Sequence, residues 1–231
     1  MDHAATVRVD AGSQDRSASV GPASTDAQPG RGERAQATRR RILDAAAGLF
    51  RENGYAAVAM RDVARATQMR AGSLYYHFPS RETLVVAVLD EGIIAVHRAV
   101  AEALSELPGS ADPAMRFDAA VLGHLTALHA HSDYTSANVR IFGQVPEAVR
   151  AANLPVRRAY EGLWDALLAD LRARGALRRD ICTREARLLV LGALNATLEW
   201  FDPGRGCVTA LARSYAAMLG AGLLKTGEGA S

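Results

Sequence analysis

Gly72-Ser73-Leu74-Tyr75-Tyr76-His77 gathers a hydroxyl, two phenols and an imidazole into six consecutive residues. Such groups can bond phosphate oxygens and base-pair edges, provided that a rigid rod holds them outward. Leu74 and Phe78 lie four apart and give that rod an apolar inner face. Tyr75 and Tyr76 point about 100° apart on a helix, so at least one faces outward, whereas His77 suits a structural role as well as a contact. Ala71 and Gly72 at the rod's start let the backbone come close to nucleic acid, and Arg70 can reach a phosphate or a guanine edge. Arg81, at the start of the next helix, can meet a phosphate beside the free N–H groups there.

Charge is concentrated around this stretch. Arg34 to Arg81 holds nine arginines against Asp44, Glu52 and Asp62, a balance of 9 − 3 = +6 in a chain whose net charge is +2. That is the footprint of a phosphate-neutralising surface, or else a solvated face in a chain whose only lysine is Lys225. Arg39, Arg40, Arg41 and Arg61 are the candidate phosphate contacts outside the rod.

These residues need a scaffold, and periodicity supplies one. Residues 1–33 carry hardly any large apolar side chain and predict a disordered tail. Ile42, Ala45, Ala46, Leu49 and Phe50 keep helical spacing until Asn53-Gly54. Met60 to Thr67 reads as a second helix, Gln68 to Ala71 as a turn, and Gly72 to His77 as a third helix, which is a helix-turn-helix. Ser80 and Thr83 start a helix that runs to about Leu107. Further helices are expected from Pro113 to His131, Ala137 to Gln144, Pro155 to Ala173, Thr183 to Trp200 and Cys207 to Leu224. No alternating strand pattern occurs, so the expected fold is all-α. The expected division is a helix-turn-helix domain over 34–95 and a helical ligand-binding and dimerisation domain over 96–226.

Residues 37 to 95 resemble the N-terminal domain of the TetR family of transcriptional regulators. The likeness rests on FRENGY (Phe50 to Tyr55), MRDVA (Met60 to Ala64) and GSLYYHFPSRETL (Gly72 to Leu84). The last matches the family's G-x-L-Y-x-H-F-x-x-K-E-x-L pattern, with Arg81 in the Lys place. Two positions depart from the family: Ala59 and Arg70 stand where Ser or Thr is usual, which removes a capping hydroxyl and its phosphate bonds. The resemblance implies a homodimeric repressor, released from a palindromic operator when a small molecule binds the C-terminal domain. An activator or a ligand-independent regulator fits the same residues.

Leu188 to Gly204 resembles a subgroup that senses acyl-CoA thioesters. That implies a pocket drawing on Arg140, Arg157, Tyr160, Trp164, Asn195 and Trp200, with Arg150 and Arg158 near it. The helix at 184–200 is apolar or small on nearly every side, through Leu188, Leu189, Leu191, Gly192 and Ala193. Such a helix is covered on two sides, either within one subunit or by a second copy packing on 155–173 and 184–200.

Other chemistries find little support. His124 and His131 share a helix face with His129 to one side, but no ligand set completes a metal site, and a helical-bundle enzyme using these histidines is the weaker reading. No G-x-S-x-G motif or phosphate loop is present, and no cofactor is expected. Cys182 and Cys207 have no metal-type spacing, and no apolar run is long enough to span a bilayer. A cytoplasmic protein is expected.

Overall fold

The computed structural model describes residues 31–225. The expectation for residues 1–30 lies outside the described residues, while residues 31–33, expected to belong to the tail, form the first turn of α1. Among the described residues the secondary structure is helical apart from a lone antiparallel bridge between Leu177 and Leu224.

Helix α1 (Arg31–Ala57) buries Ile42, Leu43, Ala46, Ala47 and Phe50 on one face. Gly54 adopts φ 77°, as a helix-ending glycine should, yet Tyr55–Ala57 resume a turn, so the chain bends there instead of stopping. Helices α2 (Met60–Ala66) and α3 (Ala71–His77) follow, joined by a turn in which Gln68 takes φ 55°. Helix α4 (Arg81–Ser105) opens on a reciprocal cap: Thr83 N–H donates to Ser80 Oγ at 3.1 Å and Ser80 N–H to Thr83 Oγ1 at 3.0 Å.

The remaining elements are α5 (Pro113–Ala130), α6 (Ser132–Ile141), α7 (Glu147–Ala173), α8 (Thr183–Ala196), a 3-10 turn (Thr197–Glu199) and α9 (Val208–Leu223). Two helix starts differ most from the sequence reading. Helix α6 starts five residues before Ala137, and α7 starts at Glu147 with Pro155 inside it and not at its head. Pro155 and Ala151, the residue four before it, are both exposed, so the carbonyl that loses its helical N–H partner can turn to water.

Two apolar cores result. The first joins α1–α3 and the first half of α4 (Leu84, Val85, Val88, Leu89) to Tyr134, Ala137, Ile141, Val145 and Val149. The second joins the rest of α4 (Ile93, Val96, Val100) to α5, α7, α8 and α9, around Phe117, Leu125 and Trp164. The expected boundary at 95/96 therefore falls in the middle of α4, and the first core extends past it into α6 and the start of α7. Helices α4 and α5 cross closely at Gly123, where a Cβ would stand 2.8 Å from the carbonyl oxygen of Ala99.

Candidate nucleic-acid interface and ligand cavity

The second helix of the pair is held from beneath. Leu74 and Phe78 are buried, while Tyr75 is 48% and Tyr76 84% exposed. Ala71, Gly72 and Ser73 are exposed at the start of α3, and nothing lies within 4 Å of the place a Cβ would take on Gly72. His77, half-buried, meets the ring of Tyr76 edge-on at 5.4 Å. Arg70 precedes α3, exposed and making no side-chain cap bond.

The arginines divide into two sets. Arg61 and Arg65 are exposed on α2 and share Asp62, at 4.0 and 3.3 Å. Arg39 lies over the ring of Phe78 at 4.9 Å, which carries its charge to the end of α3. Arg40 instead turns toward α4 and α6, pairing with Asp44 at 3.1 Å and Glu91 at 3.4 Å over the ring of Tyr134. Arg41 donates to the Thr67 carbonyl. Arg81 lies on the ring of Tyr55 and donates to its carbonyl, so its guanidinium ties the end of α1 to α4. At Ala59 the missing hydroxyl is half replaced: the Asp62 carboxylate accepts from Ala59 N–H at 2.9 Å, but no side chain caps the α2 amides in return.

A cavity of about 260 Å³ lies between α4, α5, α6, α7 and α8. Of the residues expected around a ligand, Arg157, Tyr160 and Asn195 line it. Trp164 is fully buried in the second core beside His124, with ring centroids 6.3 Å apart, and is not on the wall. Arg140 instead borders a separate polar recess with Arg51 and His129. Trp200 is 60% exposed and stacks on Tyr215. Arg150 pairs with Glu147 at 2.7 Å.

Sequence reasoning missed His124 and Asn138 as wall residues. His124 Nδ1 lies 2.5 Å from the Tyr160 hydroxyl. Burial lowers the His124 pKa to about 4 and raises that of the Tyr160 phenol, so both are neutral at pH 7. Asn138 accepts from Arg157 Nη2 at 2.8 Å and donates to the Leu89 carbonyl at 2.8 Å. The only sequence signal for His124 was a polar residue on an otherwise apolar helix face, which also raised the weaker reading of a metal. The three histidines do not converge: His129 bonds Thr197 at 3.0 Å and His131 borders a different recess. Among the described residues no group of three His, Cys, Asp or Glu could hold a metal.

A buried-footed helix with exposed phenols, above an all-helical body with an internal cavity, is the build of a DNA-binding transcriptional regulator. Residues 42–88 match the model for bacterial regulatory proteins of the tetR family, and 110–223 the model for a tetracyclin repressor-like C-terminal domain. The chain is 30% identical over 195 residues to the HTH-type transcriptional repressor KstR2 of Rhodococcus jostii (strain RHA1), covering 80% of this chain and 90% of that protein. It is 42% identical over 55 residues to UidR of Escherichia coli (strain K12), 24% of this chain and 28% of UidR, so that match spans under a third of the relative. The crystal structure of PfmR from Thermus thermophilus, a TetR family transcriptional regulator, superposes with TM-score 0.68 at 26% identity, over 78% of this chain and 96% of that one. The chain belongs to the TetR family. Among the described residues no helix is long and apolar enough to cross a membrane.

Proposed function

We propose that this protein is a homodimeric repressor that reads a palindromic operator through α3 and lets go when a small molecule fills the cavity between α4 and α8. The observation that carries this reading is the division of α3 into a buried foot (Leu74, with Phe78 just beyond) and an exposed Tyr75–Tyr76 face. In it Ala71, Gly72, Ser73, Tyr75, Tyr76 and His77 meet bases and the adjoining backbone, and Arg39, Arg61 and Arg70 meet phosphates. Arg81 positions the start of α4, whose amides take a phosphate. Likeness to a protein named as a repressor supports the direction of regulation.

Two copies pair through 155–173 and 184–200. Leu188 and Leu189 are 55% and 56% exposed on α8, an apolar face that the chain's own core leaves uncovered. Pairing sets the two α3 helices at the half-site spacing of about 34–36 Å, and a shift of a few ångströms loses one half-site. The protein acts by binding rather than catalysis, and works in the cytoplasm beside its operator.

The effector occupies the cavity, although the cations expected to meet CoA phosphates do not converge on it: Arg140 and Arg150 are elsewhere, and Arg157 alone of that set lines it. A selection from random duplexes followed by footprinting should yield a palindrome with one half-site per α3. Tyr76→Ala should weaken binding by about 1–3 kcal/mol, the range for losing a base contact. Its thermal midpoint should stay unchanged, because the side chain is solvent-facing. A protein that selects no sequence, or a Tyr76→Ala variant of full affinity, would refute the reading.

A further inference from the structure

The geometry points to a compact organic carboxylate as the molecule this cavity takes, with its carboxylate on Arg157 and its apolar body against Ile93, Val96, Leu128 and Leu191. This rests on the reading of the cavity as an effector site.

Arg157 is the first observation. Its guanidinium is partly buried, lies 3.8 Å from the centre of the Phe142 ring and bonds a neutral amide, Asn138. No carboxylate forms an ion pair with it among the described residues, and its Nε, out of contact with solvent, has no hydrogen-bond partner. A desolvated guanidinium bonded only to a neutral amide is costly, and an anionic ligand offsets that cost. Desolvation pulls its pKa down, and the charge of Glu161 partly opposes this. The planar fork, backed by an aromatic ring, suits the two oxygens of a carboxylate.

His124 is the second. It is 1% exposed, and its Nε2 has no well-formed hydrogen bond, although Asn195 faces it. Among the described residues the Tyr160 phenol has no other acceptor and so donates to Nδ1, which places the imidazole proton on Nε2. Both polar atoms left without a well-formed bond beside the cavity are therefore donors, yet neither meets solvent, so it is the outer nitrogens of Arg157 that a carboxylate reaches. Glu161 also lines the cavity and its charge acts on Arg157, but its carboxylate pairs with Arg187 at 3.2 Å, where Asp165 also lies at 2.8 Å, so no carboxylate is in direct contact with the Arg157 guanidinium among the described residues.

Size narrows the class. A 150 Å³ apolar cavity holds benzene, so about 260 Å³ holds a molecule of roughly ten to twelve non-hydrogen atoms. An aromatic, alicyclic or medium-chain acid fits within it, whereas a CoA moiety or a long acyl chain would extend beyond it.

Calorimetric titration of the full-length protein distinguishes these. The probes are benzoate, 3-phenylpropanoate, cyclohexanecarboxylate and octanoate, each beside its primary amide and its CoA thioester, with hexadecanoate as the oversized acid. At least one small acid should bind about ten- to a hundredfold more tightly than its amide. Arg157→Met should erase that preference, and Arg157→Lys should retain part of it. The wild-type comparison of acid with amide needs no variant, so it stands even if Arg157→Met folds poorly. Amides equal to acids, CoA thioesters or hexadecanoate binding where the small acids do not, or no binding by any probe, would each overturn the assignment. Release of the selected operator is read in parallel. An acid that binds through Arg157 but leaves DNA bound would sustain the carboxylate site and refute its role in release.

Discussion

His124 shows how a single buried group can set the protein's response to acid. Burial lowers its pKa from 6.5 to about 4, and burial lowers that of His129 as well. The unfolded chain takes up a proton near 6.5, whereas the folded chain resists until about 4. Between those values the unfolded state binds more protons, so stability falls as pH falls through that window. The His124 contribution reaches roughly 3 kcal/mol by the bottom of it. Denaturant midpoints at pH 7 and pH 4.5 should therefore drop further for the wild type than for His124→Gln, and parallel drops would show that His124 is protonated in the fold. The same residue marks where the sequence was hard to read. A histidine among Leu, Ala and Val on α5 declares that something polar sits inside, but its partner Tyr160 is 36 positions away. By contrast the Tyr75–Tyr76 face was legible, because its buried counterweights, Leu74 and Phe78, lie within the same turn of chain.

At the scale of elements, local signals located most boundaries. Ser80 with Thr83 marked the start of α4, and Pro113 that of α5, where Asp112 caps Ala114 N–H at 2.7 Å. Pro155 misled, since a proline in the first turn of a helix and one on a solvent-facing turn deeper inside look alike in one dimension. Helix α2 carries a defect that the sequence did reveal. Ala59 cannot accept from the α2 amides, so Ala59→Ser should supply the missing cap and gain about 0.5–2 kcal/mol. Thermal melting reads this as an upward shift, and an unchanged midpoint would mean that water already satisfies those amides.

For the whole molecule, the proposed pairing of two copies is the property on which the proposed operator reading turns. Leu189→Asp places a charge on the uncovered face of α8 and should give a monomer by light scattering. Its helical circular dichroism should persist, and operator affinity should fall by at least about tenfold, because each half-site then binds alone. A variant that stays dimeric would move the interface elsewhere, and exposed Met218 on α9 is the next place to look. The all-helical architecture was readable in advance. The division of labour between its two cores was not, because periodicity reports that a face is buried without saying against what. The stripe on α8 illustrates this: Ala186, Val190 and Leu194 are buried, whereas Leu188 and Leu189 look outward.

The interleaving of α6 with the amino-terminal core bears on how such proteins can be recombined. Tyr134, Ala137, Ile141, Val145 and Val149 sit among side chains of α1 to α4, and Tyr134 donates to Asp44 across the seam at 2.5 Å. A transplant cut at residue 95 would set those five against a stranger's surface and strand the phenol. A working chimera has to carry residues 134–149 along with the helices they embrace, so the portable unit is discontinuous in the gene.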